Sequence, residues 1–194
     1  RMWKHELIAA VNERVGAPAI LVPGPDEWST LSAQAHAYRH VRVTGRFLAG
    51  RDTLVLAVSD LGSGYWVMSP IDTGRFTLLV NRGFVPQDKA KSVAPPPAGE
   101  VTVKGLLRMS EPGGGFLRAN DPAGNRWYSR DVAAIAASRR LSNPAPYFID
   151  ADGSMNGAGA PVGGLTVVRF PDNHMVYALT WFALAAMCGW GAWR

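Results

Sequence analysis

Apolar and polar positions alternate with period two from about residue 39, and that alternation marks the main body of the chain. Val41 and Val43 alternate with Arg42 and Thr44, Thr53 to Val58 is a short apolar run, and Tyr65-Trp66-Val67-Met68 follows what reads as a Gly-Ser-Gly turn. Phe76 to Phe84 predicts a fourth strand. Val101, Val103 and Leu107, alternating with Thr102, Lys104 and Arg108, predict a half-buried fifth. Two later runs, Tyr147-Phe148-Ile149 and Leu165-Thr166-Val167-Val168, add strands on either side of a Gly-rich loop from Gly153 to Gly164. Pro95-Pro96-Pro97 reads as a surface linker.

Helical periodicity interrupts this pattern at three places. Leu7, Ile8, Val11 and Val15 share one face of an amphipathic helix that Gly16 and Pro18 stop. Glu27 to Tyr38 predicts one further small helix. Asp131 stands as N-cap for a helix from Val132 towards Arg140, with Arg139 and Arg140 at the negative end of its dipole and Asn143-Pro144 beyond it. The expected fold is mainly β, an antiparallel β-barrel or sandwich domain with short helices.

The C-terminus has a different pattern. Met175 to Trp193 contains no charged residue, and 19 residues at ~1.5 Å each nearly match a hydrocarbon core of ~30 Å. Only Tyr177, Thr180 and the tryptophans offer polar atoms, so no polar stripe marks a soluble core helix. Trp190 and Trp193 suit an interfacial belt, and Arg194 follows. The run predicts a transmembrane helix at 174–194 in contact with membrane lipid. The chain therefore divides into an N-terminal helical segment at 1–38, a β-domain at 39–170 and the membrane helix.

Composition narrows the function. A chain of 194 residues suits one domain with appended elements. The net charge of +5 comes from scattered Arg and Lys with no basic run, which argues against nucleic acid. Cys188 is the only cysteine, so an intrachain disulfide and a multi-cysteine metal site are both excluded. His36 and His40 have the i, i+4 spacing of metal ligands, but the strand alternation starting at Arg39 would splay them. Ser129 and Asp131 form no nucleophile–base set with a defined histidine, no Gly-x-Ser-x-Gly elbow exists, and the glycines at 113–115 open no phosphate-binding helix. Residue chemistry thus argues against an enzyme.

His174 stands where the last strand hands over to the apolar run, with Tyr177 and Trp181 at i+3 and i+7 on the same helix side. Two readings fit: an axial haem ligand with the macrocycle against the aromatic rings, or an interfacial anchor of amphipathic belt residues.

Three motifs in order resemble the surfeit locus protein 1 family: Ala37-Tyr38-Arg39-His40-Val41-Arg42-Val43-Thr44-Gly45-Arg46-Phe47, Leu79-Val80-Asn81-Arg82-Gly83-Phe84-Val85-Pro86, and Asn173-His174-Met175-Val176-Tyr177-Ala178-Leu179-Thr180-Trp181-Phe182. Val103-Lys104-Gly105-Leu106-Leu107-Arg108 lies between the second and third. The resemblance implies a two-helix membrane protein with its domain in the periplasm of a bacterial inner membrane, or in the intermembrane space if eukaryotic. It implies an assembly factor for cytochrome c oxidase that handles haem a for the catalytic subunit, alongside the haem a synthesis machinery. A scaffold that binds oxidase subunits without haem is the alternative. The family's haem-ligand histidine falls on His174; Tyr177 and Trp181 enter only through helical geometry. The family begins with a transmembrane helix, whereas this sequence opens at Arg1-Met2-Trp3-Lys4, which reads as the segment just after that helix. Phe84 stands where the family usually has Trp, and Arg82 reads either as a charge paired inside the domain or as a contact to a haem propionate.

Overall fold

The computed structural model describes residues 10–115, 117–155 and 161–165. Its centre is a barrel closed by five strands. Strand β2 (His40–Phe47) pairs with β6 (Glu100–Met109), β6 with β7 (Pro144–Ala151), β7 with β5 (Thr77–Pro86), and β5 with β4 (Gly62–Asp72). The ring closes where Arg46 and Phe47 of β2 meet Asp72 and Ile71 of β4. Strands β1 (Ile20–Leu21) and β3 (Thr53–Ser59) extend the sheet outside the ring. Of the alternatives barrel and sandwich, the chain takes the barrel. Most pairings are antiparallel as expected, while β1–β2 and β5–β7 are parallel. The chain visits β6 and α3 (Val132–Ser138) before returning as β7, and only such a long crossover lets β7 lie parallel to β5.

Alternation explains β2 directly, since Val41, Val43 and Gly45 point inward while their neighbours face outward. Inside the ring, Val41, Ile71, Leu78, Val80, Val103, Leu107, Tyr147 and Ile149 are all essentially inaccessible. Full burial of side chains of this size stabilises by about 1.5–3 kcal/mol each. A second apolar cluster lies on the outer face of β3, β4, β5 and β7, where Val55, Met68, Leu79 and Phe148 meet Trp127 and, from α3, Val132 and Ile135. β5 is consequently covered on both faces, with every residue from Thr77 to Val85 buried.

Several boundaries differ from expectation. Gly62-Ser63-Gly64 is not a turn but the start of β4, with the reversal at Asp60-Leu61. Gly64 is required there because a Cβ would lie 2.2 Å from the Val85 carbonyl oxygen. The single helix expected at Glu27–Tyr38 is two pieces, a 3-10 helix Pro25–Thr30 and α2 (Ala33–His36), because Leu31 turns extended and the Ser32 side chain caps a new start by accepting from the Ala35 amide. Residues 10–16 are helical as expected (α1), but the segment before residue 38 also supplies β1 and is woven into the barrel. Trp28 packs edge-on against Phe76 at 5.5 Å, and the Tyr147 hydroxyl donates to the Pro23 carbonyl at 2.7 Å. Asp131 caps α3 by accepting from the Ala134 amide, and the helix stops two residues short of Arg140, whose φ of 52° is left-handed. Leu165 is not in a strand; instead Val162 bridges to Phe84, and residues 166–168 lie outside the described residues. No helix among the described residues is long and apolar enough to cross a membrane, and the run from Met175 is not among them.

Candidate functional site

The outer face of β7 carries the densest polar chemistry of the described chain. Tyr147, Ile149 and Ala151 point into the barrel, so Phe148 and Asp150 must point out. Asp150 is 4% exposed and has Asn81, Arg130 and Arg108 among its partners. Asn81 Nδ2 of β5 donates to Oδ1 at 2.8 Å, Arg130 donates to Oδ1 at 3.2 Å, and Arg108 of β6 donates to Oδ2 at 2.6 Å. Glu111, just past the end of β6, receives Arg130 in a bidentate fork at 2.6 and 3.0 Å. Arg108 lies 3.5 Å from the same carboxylate. The guanidinium planes also find aromatic faces, Arg130 over Phe148 at 4.8 Å and Arg108 over Tyr38 at 4.9 Å.

Among the described residues, Arg108 and Arg130 meet Asp150 and Glu111 in this cluster. Burial works against the Arg130 charge, yet its hydrogen bonds to Glu111 and the charges of Asp150 and Glu111 outweigh that and hold its pKa above the ordinary value. A hydrogen-bonded group of opposite charges of this kind holds β5, β6, β7 and the approach to α3 in register. The cluster forms one wall of a cleft of about 360 Å³, whose other walls include Trp66, Leu61 and Leu165. A wider groove of about 610 Å³, on the Tyr65 and Leu56 side of the β3–β4 hairpin, runs past Lys91, Arg118 and Trp127.

The motif Asn81-Arg82-Gly83-Phe84 assigns a separate task to each residue. Asn81 faces Asp150, and its Oδ1 also accepts from the Gly83 amide at 3.1 Å. Gly83 has φ of 132°, and a Cβ there would lie 2.3 Å from the Val162 carbonyl oxygen, so only glycine lets that connection pass. Phe84 is inaccessible and meets Trp66 edge-on at 5.7 Å. Arg82 is 2% exposed: Nε donates to Ser69 Oγ at 2.8 Å, and one terminal nitrogen donates to Ala94 O at 2.8 Å and to Asp52 at 3.2 Å. Desolvation lowers the Arg82 pKa while Asp52 opposes the shift. Of its two sequence readings, the charge paired inside the domain is the one the geometry carries.

The remaining sequence candidates separate. His36 ends α2 with Nδ1 at 3.2 Å from the Ser32 backbone, whereas His40 opens β2 with Nδ1 against the Ala17 carbonyl at 2.8 Å; the i, i+4 pair is splayed by the helix-to-strand change. Ser129 Oγ accepts from Gly114 N and Asn120 Nδ2, and Asp131 is spent on the α3 cap. His174, Tyr177 and Trp181 lie outside the described residues. Among the described residues no group of three metal-ligating side chains comes together. The Asp150 cluster went unread in the sequence, although one signal was present: a carboxylate directly following the apolar Tyr147-Phe148-Ile149.

Comparison with known proteins places these features in a lineage. A family model described as the SURF1 family matches residues 1–186. Surfeit locus protein 1 of Mus musculus is 35% identical over 208 residues, covering 96% of this chain and 65% of the mouse protein. The Homo sapiens protein of the same name is 33% identical, over 96% of this chain and 67% of its own. The SURF1-like protein of Monosiga brevicollis is 32% identical, over 96% and 76%. The chain thus spans about 65% of the length of the mouse and rat relatives.

Proposed function

The chain belongs to the SURF1 family, and from that premise we propose that it is a membrane-anchored assembly factor for cytochrome c oxidase that holds haem a and assists its insertion into the catalytic subunit. The observation that carries the reading is the span of the family match. It runs over residues 1–186, through both β-domain motifs and through the stretch from His174 to Phe182. In this reading Met175 to Trp193 crosses the membrane, and the β-domain stands on the periplasmic or intermembrane-space side.

Val41, Leu107, Tyr147 and Ile149 pack inside the ring, and the proposed haem ligand lies on the apolar C-terminal run of the sequence. His174 would supply one axial nitrogen, with Tyr177 and Trp181 as apolar support. In this reading the role is the non-enzymatic one of an assembly factor.

The test is an absorption spectrum of the full-length protein, purified in detergent after coexpression with haem a synthesis. Wild type should copurify with haem a, and His174→Ala should lose most of it while the β-domain stays folded. Wild-type haem content in the variant would make His174 an interfacial anchor. Haem-free wild type would leave the scaffold that binds oxidase subunits as the better reading.

A further inference from the structure

Two stretches of the chain are held firmly although they give little to the core, and they stand on either side of one groove. The first is the excursion between β6 and α3. Asn120 Oδ1 accepts from the Tyr128 and Ser129 amides at 2.8 and 3.2 Å, and Asn120 Nδ2 donates to Ser129 Oγ at 3.0 Å. The Leu56 amide donates to the Trp127 carbonyl at 2.8 Å, which fastens the excursion to the outer edge of β3. Trp127 joins the outer apolar cluster, but Leu117 is 88% exposed. Its φ of 58° is one that leucine rarely adopts, and backbone hydrogen bonds between Gly115 and Arg118 close the turn around it. The second stretch is the 3-10 helix Gln87–Ser92, which packs on β4 and β5. Arg82 pins its exit, since the nitrogen that donates to Ala94 O also reaches Asp52.

Because β4 lies between β5 and β3, these two walls flank a floor made by Tyr65 of β4 and by Leu54 and Leu56 of β3. This is the groove of about 610 Å³. Its carboxylates are already matched, Asp52 to Arg82 at 3.2 Å and the neighbouring Asp121 to Arg126 at 2.6 Å. That leaves Lys91 on one wall and Arg118 on the other, both exposed, and neither is paired with a carboxylate among the described residues. Arg118 lies over the Tyr128 ring at 5.6 Å, a contact that orients the guanidinium without engaging its N–H donors.

We propose that this groove docks an extended acidic segment of a partner protein, with an apolar side chain on the Leu56 and Tyr65 floor and carboxylates towards Lys91 and Arg118. An apolar floor between two unmatched cations fits a ligand whose apolar body is flanked by anions. A nucleic-acid backbone brings the charge without the apolar group, and a bilayer surface is too flat to reach the floor. Walls fixed in advance by their own hydrogen bonds lower the ordering cost of binding, and a guanidinium with open donors suits a carboxylate. Such docking is independent of any haem at His174.

The experiment uses the full chain in detergent at low ionic strength and follows the anisotropy of fluorescein-labelled hexapeptides. One alternates Glu and Leu, one Gln and Leu, and one Lys and Leu. The Glu–Leu peptide should bind, and the Gln–Leu peptide should bind roughly tenfold more weakly or worse. Lys91→Glu combined with Arg118→Glu should weaken the Glu–Leu peptide by a similar factor and turn the preference towards Lys–Leu. Leu56→Ser should weaken it with the walls unchanged, and Arg75→Glu, at the far end of β4, should have no effect. Failure of the Glu–Leu peptide to bind, equal binding of Glu–Leu and Gln–Leu, or wild-type affinity in the charge-reversed protein would overturn the proposal. So would displacement of the peptide by an equal concentration of oligothymidylate, since the groove would then read bare negative charge. A dimer that dissociates on charge reversal would put a second copy of the chain in the groove and overturn it as well.

Discussion

Ile149 and Asp150 are neighbours on one strand, and they face two different kinds of interior. Inside the ring, Ile149 belongs to the apolar cluster and is held by area and shape. Outside, Asp150 is nearly as inaccessible, yet it is held by Asn81, Arg108 and Arg130. The first environment tolerates a small change in volume because the removed group leaves no unmet demand. The second does not, since removing one member leaves buried charges with fewer counter-charges than they were desolvated against. Equal burial on adjacent residues therefore implies unequal sensitivity.

The largest expected effect comes from Asp150→Ala. It takes the buried carboxylate away from two guanidinium groups and from Asn81, leaving both arginines to share Glu111, and should cost about 3–5 kcal/mol in urea unfolding followed by tryptophan fluorescence in detergent. A loss below that of the inner-face variant would break the comparison. Ile149→Val removes one methylene from the ring and should cost about 0.5–1.5 kcal/mol in the same assay.

The smallest effect belongs to an ion pair in water. Asp121 and Arg126 meet at 2.6 Å, but on the surface. The Gly124 amide first, and Arg126 next, hold the Asp121 carboxyl below its ordinary pKa of 3.8. A depressed folded pKa means that the contribution is fully present above the unfolded value. It is lost as pH falls through the folded value. Asp121→Asn should flatten that acid limb slightly, salt should weaken the wild-type effect, and stability at neutral pH should change little. A loss at neutral pH matching that of Asp150→Ala would show that burial is not what separates the two carboxylates.

Much of the β-domain was legible because local periodicity reports which face of a strand is wet. The alternation at Val41 and Val43 and at Val101 to Leu107 located β2 and β6, and Asp131 marked the start of α3, since capping is chemistry within four residues. β1 was missed because two exposed residues, Ile20 and Leu21, carry no periodic signal. The turn assigned to Gly62-Ser63-Gly64 was misread because a glycine required by close approach to Val85 looks the same in sequence as one required by a turn. The polar cluster was missed for a related reason: Asp150, Arg108 and Arg130 are ordinary surface residue types until their partners are known.

By itself, then, the sequence determined the strands of the ring, the cap of α3, the apolar C-terminal run and the motifs that mark the family. All of these are written in short windows, where residue type, spacing and hydrogen-bond capacity act directly on the local backbone. The tertiary structure alone decided that Phe47 would meet Ile71 to close the ring and that β7 would lie parallel to β5. It also decided that Arg82 would be paired under the linker at Ala94 and that Asp150 would be enclosed by two arginines. Those outcomes depend on contacts between residues tens of positions apart, which the packing of the whole barrel selects and no local pattern encodes.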